Sequence, residues 1–222
     1  MEVIERHAVS QDWITLLLVL VFGLLVVAKY AFTQRFAHFS MLFATDKYLL
    51  LKGKDPNLFH PFNILLFAVN VVSAGLFIYI YYLTFGEGHP DRAGITFLRI
   101  MTAYATFVLL KFSLEKILAD VVSVNEQMNY YLFYKLSYRN FMALILLPIS
   151  IFFIYTWEPT RLVLYILLGV ILLMNLITLL SIFIKNRQYI ATHWFYFILY
   201  LCALEIGPYY ILYKLVTKFQ GE

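Results

Sequence analysis

WITLLLVLVFGLLVVAKYAF, residues 13–32, is the stretch that decides the fold class. Its single charge is Lys29, close to its end. Twenty helical residues span about 30 Å, the thickness of a bilayer's hydrocarbon core. The residues before it carry Glu2, Glu5 and Asp12 against one arginine, Arg6. A secretory signal has a basic lead-in and a shorter apolar core, so this run reads as a retained transmembrane helix. Working outward, five further apolar stretches follow, and predicted helices cover 13–32, 62–85, 95–118, 138–156, 162–184 and 194–216. No sustained strand alternation competes with them. The expected fold is an all-α integral membrane protein: one transmembrane domain over 1–222, a bundle of about six transmembrane helices, and one or two interfacial amphipathic helices. The candidates for the latter are FAHFSMLFATDKYLLL (36–51) and the mixed charged and apolar stretch 111–139.

Composition agrees. Of the 222 residues, 63% are hydrophobic and 14% are charged, and the mean hydropathy is +0.79. A soluble fold of this size buries only about 70% of the surface its unfolded chain exposes, too little to hide so much apolar side chain. Disorder needs the opposite balance. The net charge of +4 does not point to nucleic acid. Eleven of the 17 Lys and Arg residues lie in or beside the first, third and fifth loops, which by the positive-inside rule are cytoplasmic. Both termini are then periplasmic. The single cysteine, Cys202, makes no internal disulfide, the five histidines show no metal-ligand spacing, and no phosphate loop or hydrolase motif occurs. No cofactor is expected.

Two groups of polar residues stand out. Glu205 lies in LYLCALEIGPYYILYK (199–214), near the middle of the sixth apolar stretch. A charged side chain at that depth costs about 2.5–3.5 kcal/mol or more, so such residues face a bundle interior and find a partner. Pro208, three positions on, lacks an N–H and frees the carbonyl of Leu204. Counting along the other helices brings Tyr104, Asn175 and Asn70, with Ser73 and Ser150, to a similar depth, a candidate mid-membrane polar site. The second group is Lys111, Glu115, Lys116 and Asp120, a candidate charged face on the cytoplasmic side. Its i,i+4 spacings, Lys111–Glu115 and Lys116–Asp120, suit ion pairs on an exposed helix or the wall of a polar cavity. Glu115 and Glu126 are about 16 Å apart along a helix, too far to act on one bond. His60-Pro61 with Asn63, at a membrane entry, reads as a cap or an interface anchor rather than a catalytic group.

FYFILYLCALEIGPYYILYK (195–214) and NYYLFYKLSYRNFMALILLPISIFFIY (129–155) resemble an uncharacterised family of small polytopic inner-membrane proteins of Bacteroidota, a domain of unknown function. The most specific piece is Leu204-Glu205-x-x-Pro208. The resemblance runs from about Lys29 onward. It implies an inner-membrane location in a Gram-negative bacterium and carries no activity.

The function expected on these grounds is a non-enzymatic inner-membrane subunit of an envelope assembly, in secretion or envelope biogenesis. Its partners would be the bilayer and another protein or further copies of itself. The alternatives are a small proton-coupled transporter using Glu205 and a membrane enzyme acting on a lipid-linked substrate.

Overall fold

The computed structural model describes residues 12–40, 42, 58–86, 93–121 and 125–185. They form six helices: α1 (Asp12–Ala31), α2 (Thr33–Ser40), α3 (Pro61–Phe85), α4 (Ala93–Val121), α5 (Asn125–Tyr155) and α6 (Arg161–Lys185). No strand occurs among the described residues. Helices α1, α3, α4 and α5 are long and apolar enough to cross a membrane. The predicted helix 194–216 lies outside the described residues, as do Glu205 and Pro208.

Helix α3 is the hub and packs against α1, α4, α5 and α6. Its sequence is apolar on every face, as a helix surrounded by others requires, and Leu66, Val69, Val72, Leu76 and Ile80 are all buried. His60 starts it in an extended conformation (φ −60°, ψ 136°), the one favoured before a proline, and its Nδ1 accepts a hydrogen bond from the Phe62 N–H at 3.2 Å. Pro61 takes the first turn, where a missing N–H costs nothing. Gly86 ends the helix, its N–H donating to the Tyr82 carbonyl at 2.8 Å.

Helix α1 buries a single stripe, Ile14, Leu18, Val21 and Ala28, while Leu16, Val19, Leu20 and Val26 point outward. Apolar residues on both the inner stripe and the outer face are what a helix between protein and lipid needs. Helix α2 follows almost without interruption: the Phe36 N–H donates to the Phe32 carbonyl at 2.9 Å, and Thr33 Oγ1 to the Lys29 carbonyl at 3.0 Å. Its buried residue, Phe39, packs edge-on against Phe62 and Phe141.

The stretch 111–139 is helix at both ends. Helix α4 runs on through Lys111 to Val121, and α5 begins at Asn125, well before the predicted start at 138. At 29 and 31 residues they are about 43 and 46 Å long, a turn or more beyond a hydrocarbon core of about 30 Å. What looked like a polar lead-in is packed: Tyr131, Leu132, Phe133 and Tyr134 are buried together with Phe39, Leu42 and Phe62. Consecutive buried residues on all sides of a helix leave no hydropathy stripe, so the sequence pattern understated this segment.

Aromatic clusters tie the bundle at both ends. Trp13, Tyr79 and Phe97 join α1, α3 and α4, with ring centroids 5.1–6.0 Å apart. At that same end Thr15 Oγ1 and Tyr155 OH share a 2.7 Å hydrogen bond between α1 and α5. At the opposite end Phe32 meets His60 and Phe62. Between the two, α3 and α4 approach closely at Gly75, where an added Cβ would stand 3.4 Å from the Phe97 ring and 3.6 Å from Met101 Cβ.

Candidate functional site

Two polar clusters lie inside the bundle, and both link α3, α4 and α5. The first is at mid-height. Asn70 is 2% exposed on α3. Its Oδ1 accepts from Tyr104 OH of α4 at 3.2 Å, and its Nδ2 donates to the Arg139 carbonyl of α5 at 3.1 Å. One amide thus joins three helices. The Arg139 carbonyl is already an acceptor in its own helix, and its second lone pair takes the Asn70 bond. Of the five residues expected beside Glu205 at mid-membrane, the structure brings Tyr104 and Asn70 together. Asn175 is exposed on α6 and donates to the Ile171 carbonyl of its own helix at 2.8 Å. Ser73 is buried and likewise bonds within its helix, to the Val69 carbonyl. Ser150 Oγ and Asn140 Oδ1 are buried with no hydrogen-bond partner among the described residues. Ser150 follows Pro148, whose missing N–H leaves the Leu144 carbonyl without its helical donor.

The second cluster lies nearer the His60 end of the bundle. Glu115 is 2% exposed and Lys111 is 7% exposed. They are one turn apart on α4 and face α5. Glu115 finds its ion-pair partner there: Lys135 Nζ is 2.5 Å from Glu115 Oε1. Lys135 also stands over the Tyr131 ring at 5.4 Å, and Arg139, one turn further, over Phe67 of α3 at 5.8 Å. A carboxylate removed from water needs such a cation, because desolvation otherwise costs several kcal/mol. The four residues expected as one charged face therefore divide. Lys111 and Glu115 turn inward. Lys116 lies with its ammonium 4.9 Å from the Phe59 ring, and Asp120 is exposed. Lys135 and Arg139 are the members that reading α4 alone missed. Their own i,i+4 spacing, matching Lys111–Glu115 on the preceding helix, was the available signal.

Beside this cluster runs a cleft of about 110 Å³ between α3, α4 and α5, with Phe67, Leu136 and Arg139 among its lining residues. It adjoins a smaller hollow that shares Val108, Phe112, Leu136 and Arg139 and adds Lys111, Glu115 and Lys135. An apolar slot thus leads to a group of cations around one carboxylate. Such a group can lock helices together or hold an anion. No group of three His, Cys, Asp or Glu side chains among the described residues is placed to hold a metal.

The family described as Domain of unknown function (DUF4271) matches residues 14–216. The chain belongs to this family. The match takes in residues of all six described helices and extends past the last of them. No curated protein and no solved structure matches it. Several apolar helices and this membership make the DUF4271 chain compatible with a multi-pass membrane protein.

Proposed function

We propose that the protein is a non-enzymatic, multi-pass subunit of an inner-membrane assembly of a bacterial envelope, serving secretion or envelope biogenesis. The observation that supports this reading is the use to which interior polar groups are put. Tyr104, Asn70 and the Arg139 carbonyl link α4, α3 and α5, and Glu115 with Lys135 links α4 to α5 again. Polar side chains spent on joining helices make a scaffold. In this reading both termini are periplasmic, and the exposed Lys29 and Asp120, near the ends of α1 and α4, face the cytoplasm, where a partner would dock. Glu205, with Pro208, supplies a further mid-membrane polar point for a partner helix.

Affinity purification of the tagged protein, expressed at its natural level and extracted in a mild detergent, tests the proposal. A second subunit, or further copies of the chain, should co-purify in fixed ratio, and Glu205→Leu should reduce that ratio without lowering the amount of protein. A monodisperse single chain with nothing bound overturns the assembly reading.

A further inference from the structure

We infer that the cleft between α3, α4 and α5 is a binding site for one anionic phospholipid. Its two parts match the two parts of such a molecule. The slot is walled by Ile64 and Phe67 of α3, Leu109 of α4 and Leu136 of α5. Phe59, Ile64 and Leu109 are more than half exposed at its rim, so it opens sideways toward the acyl chains of the bilayer. The slot itself has one charged lining residue, Arg139, which it shares with the adjoining hollow, and the other charges lie outside it. Along α4, Leu109 is in the slot and Lys116 stands at its mouth, over the Phe59 ring. Those seven residues cover about 10 Å, enough to separate an acyl chain from a phosphate.

Charge complementarity commits the site to an anion. The adjoining hollow is lined by Lys111, Lys135 and Arg139 against the carboxylate of Glu115, and Lys116 adds a further cation at the rim. Glu115 is engaged by Lys135, and the lining of the hollow carries three cations against this one carboxylate. At 29 and 31 residues α4 and α5 are longer than a hydrocarbon core requires, and the cluster lies toward their shared His60 end, where a headgroup would sit. Basic pockets between transmembrane helices at a membrane surface bind anionic headgroups for the same reason. The inference rests on the chain lying in a bilayer and is independent of the proposed assembly role.

The test is native mass spectrometry of the full-length protein in detergent, titrated with phosphatidylglycerol or phosphatidylcholine of the same acyl chains. One phosphatidylglycerol should be retained, about tenfold more tightly than phosphatidylcholine. Lys116→Gln should weaken phosphatidylglycerol about fivefold, the effect of one basic residue near a headgroup. Leu109→Trp should fill the slot and weaken it at least as much with no change of charge. Arg161→Gln, at the far end of the bundle, should leave it unchanged. Circular dichroism confirms that each variant is helical. Equal affinity for the two lipids, or wild-type binding by both Lys116→Gln and Leu109→Trp, overturns the inference. So does complete displacement of the lipid by millimolar inorganic phosphate together with an ineffective Leu109→Trp, which would make the site one for free phosphate.

Discussion

Glu115 is the residue on which the described charge cluster turns. It is 2% exposed and paired to Lys135 across the α4–α5 interface. Glu115→Gln removes the negative partner and leaves a partly buried ammonium, a change that costs about 3 kcal/mol when an interior pair is broken from one side. Lys135→Gln should cost at least as much, because the charge it strands is the Glu115 carboxylate, 3% exposed, whereas the Lys135 ammonium is 21% exposed. The double variant should be more stable than the sum of the two losses predicts. Thermal unfolding in detergent of both singles and the double variant measures this coupling; strict additivity would show that the two side chains do not interact. Asn70 and Asn175 make a second contrast. Asn70→Ala breaks two interhelical bonds, at about 0.6 kcal/mol each. Asn175→Ala breaks one bond within α6 and should fall within about 0.5 kcal/mol of wild type. Counting residues from the membrane surface put both asparagines at one depth. Depth is legible in a sequence, but the direction in which a side chain points around its helix depends on how that helix is rotated by its neighbours.

At the scale of elements, the α3–α4 crossing and the start of α3 carry the sharpest expectations. A Cβ at Gly75 would meet the Phe97 ring and Met101 at 3.4–3.6 Å, ordinary contact distances. Gly75→Ala should therefore be accepted, whereas Gly75→Leu has no room and should destabilise the bundle by about 1–3 kcal/mol, read as a lower unfolding temperature. His60→Ala removes the acceptor for the Phe62 N–H and should cost about 1 kcal/mol, by the same assay. The cap at His60-Pro61-Asn63 was legible because its chemistry is local. The extent of α5 was not. Its first half, with Tyr130, Tyr134 and Tyr138, is too polar to read as a span, and it is helical because packing against α2 and α3 buries it. Packing of this kind links residues far apart in the chain and leaves no periodic trace in a single segment.

At the scale of the whole molecule the testable property is orientation. The bundle brings the start of α1, the end of α3, the start of α4 and the end of α5 to one end, as the shared Trp13, Tyr79 and Phe97 cluster and the Thr15–Tyr155 bond require. The positive-inside count assigns that end to the periplasm. With Cys202 replaced by serine, Glu158→Cys should be labelled by a membrane-impermeant maleimide in cells with a permeabilised outer membrane, and Gln34→Cys only after lysis. The reverse pattern would invert the topology. The sequence alone determined an all-helical chain with helices long and apolar enough to cross a membrane, since 63% of its residues are hydrophobic and its apolar runs match a bilayer's thickness. It also determined that the few charges outside the loops would need partners, because an isolated charge in a low-dielectric interior is too costly. Only the tertiary structure decided which partners those are. Lys135 is twenty residues from Glu115 along the chain, and Arg139 is sixty-nine from Asn70. They meet because four helices of different length pack around α3, and that register is set by the whole core.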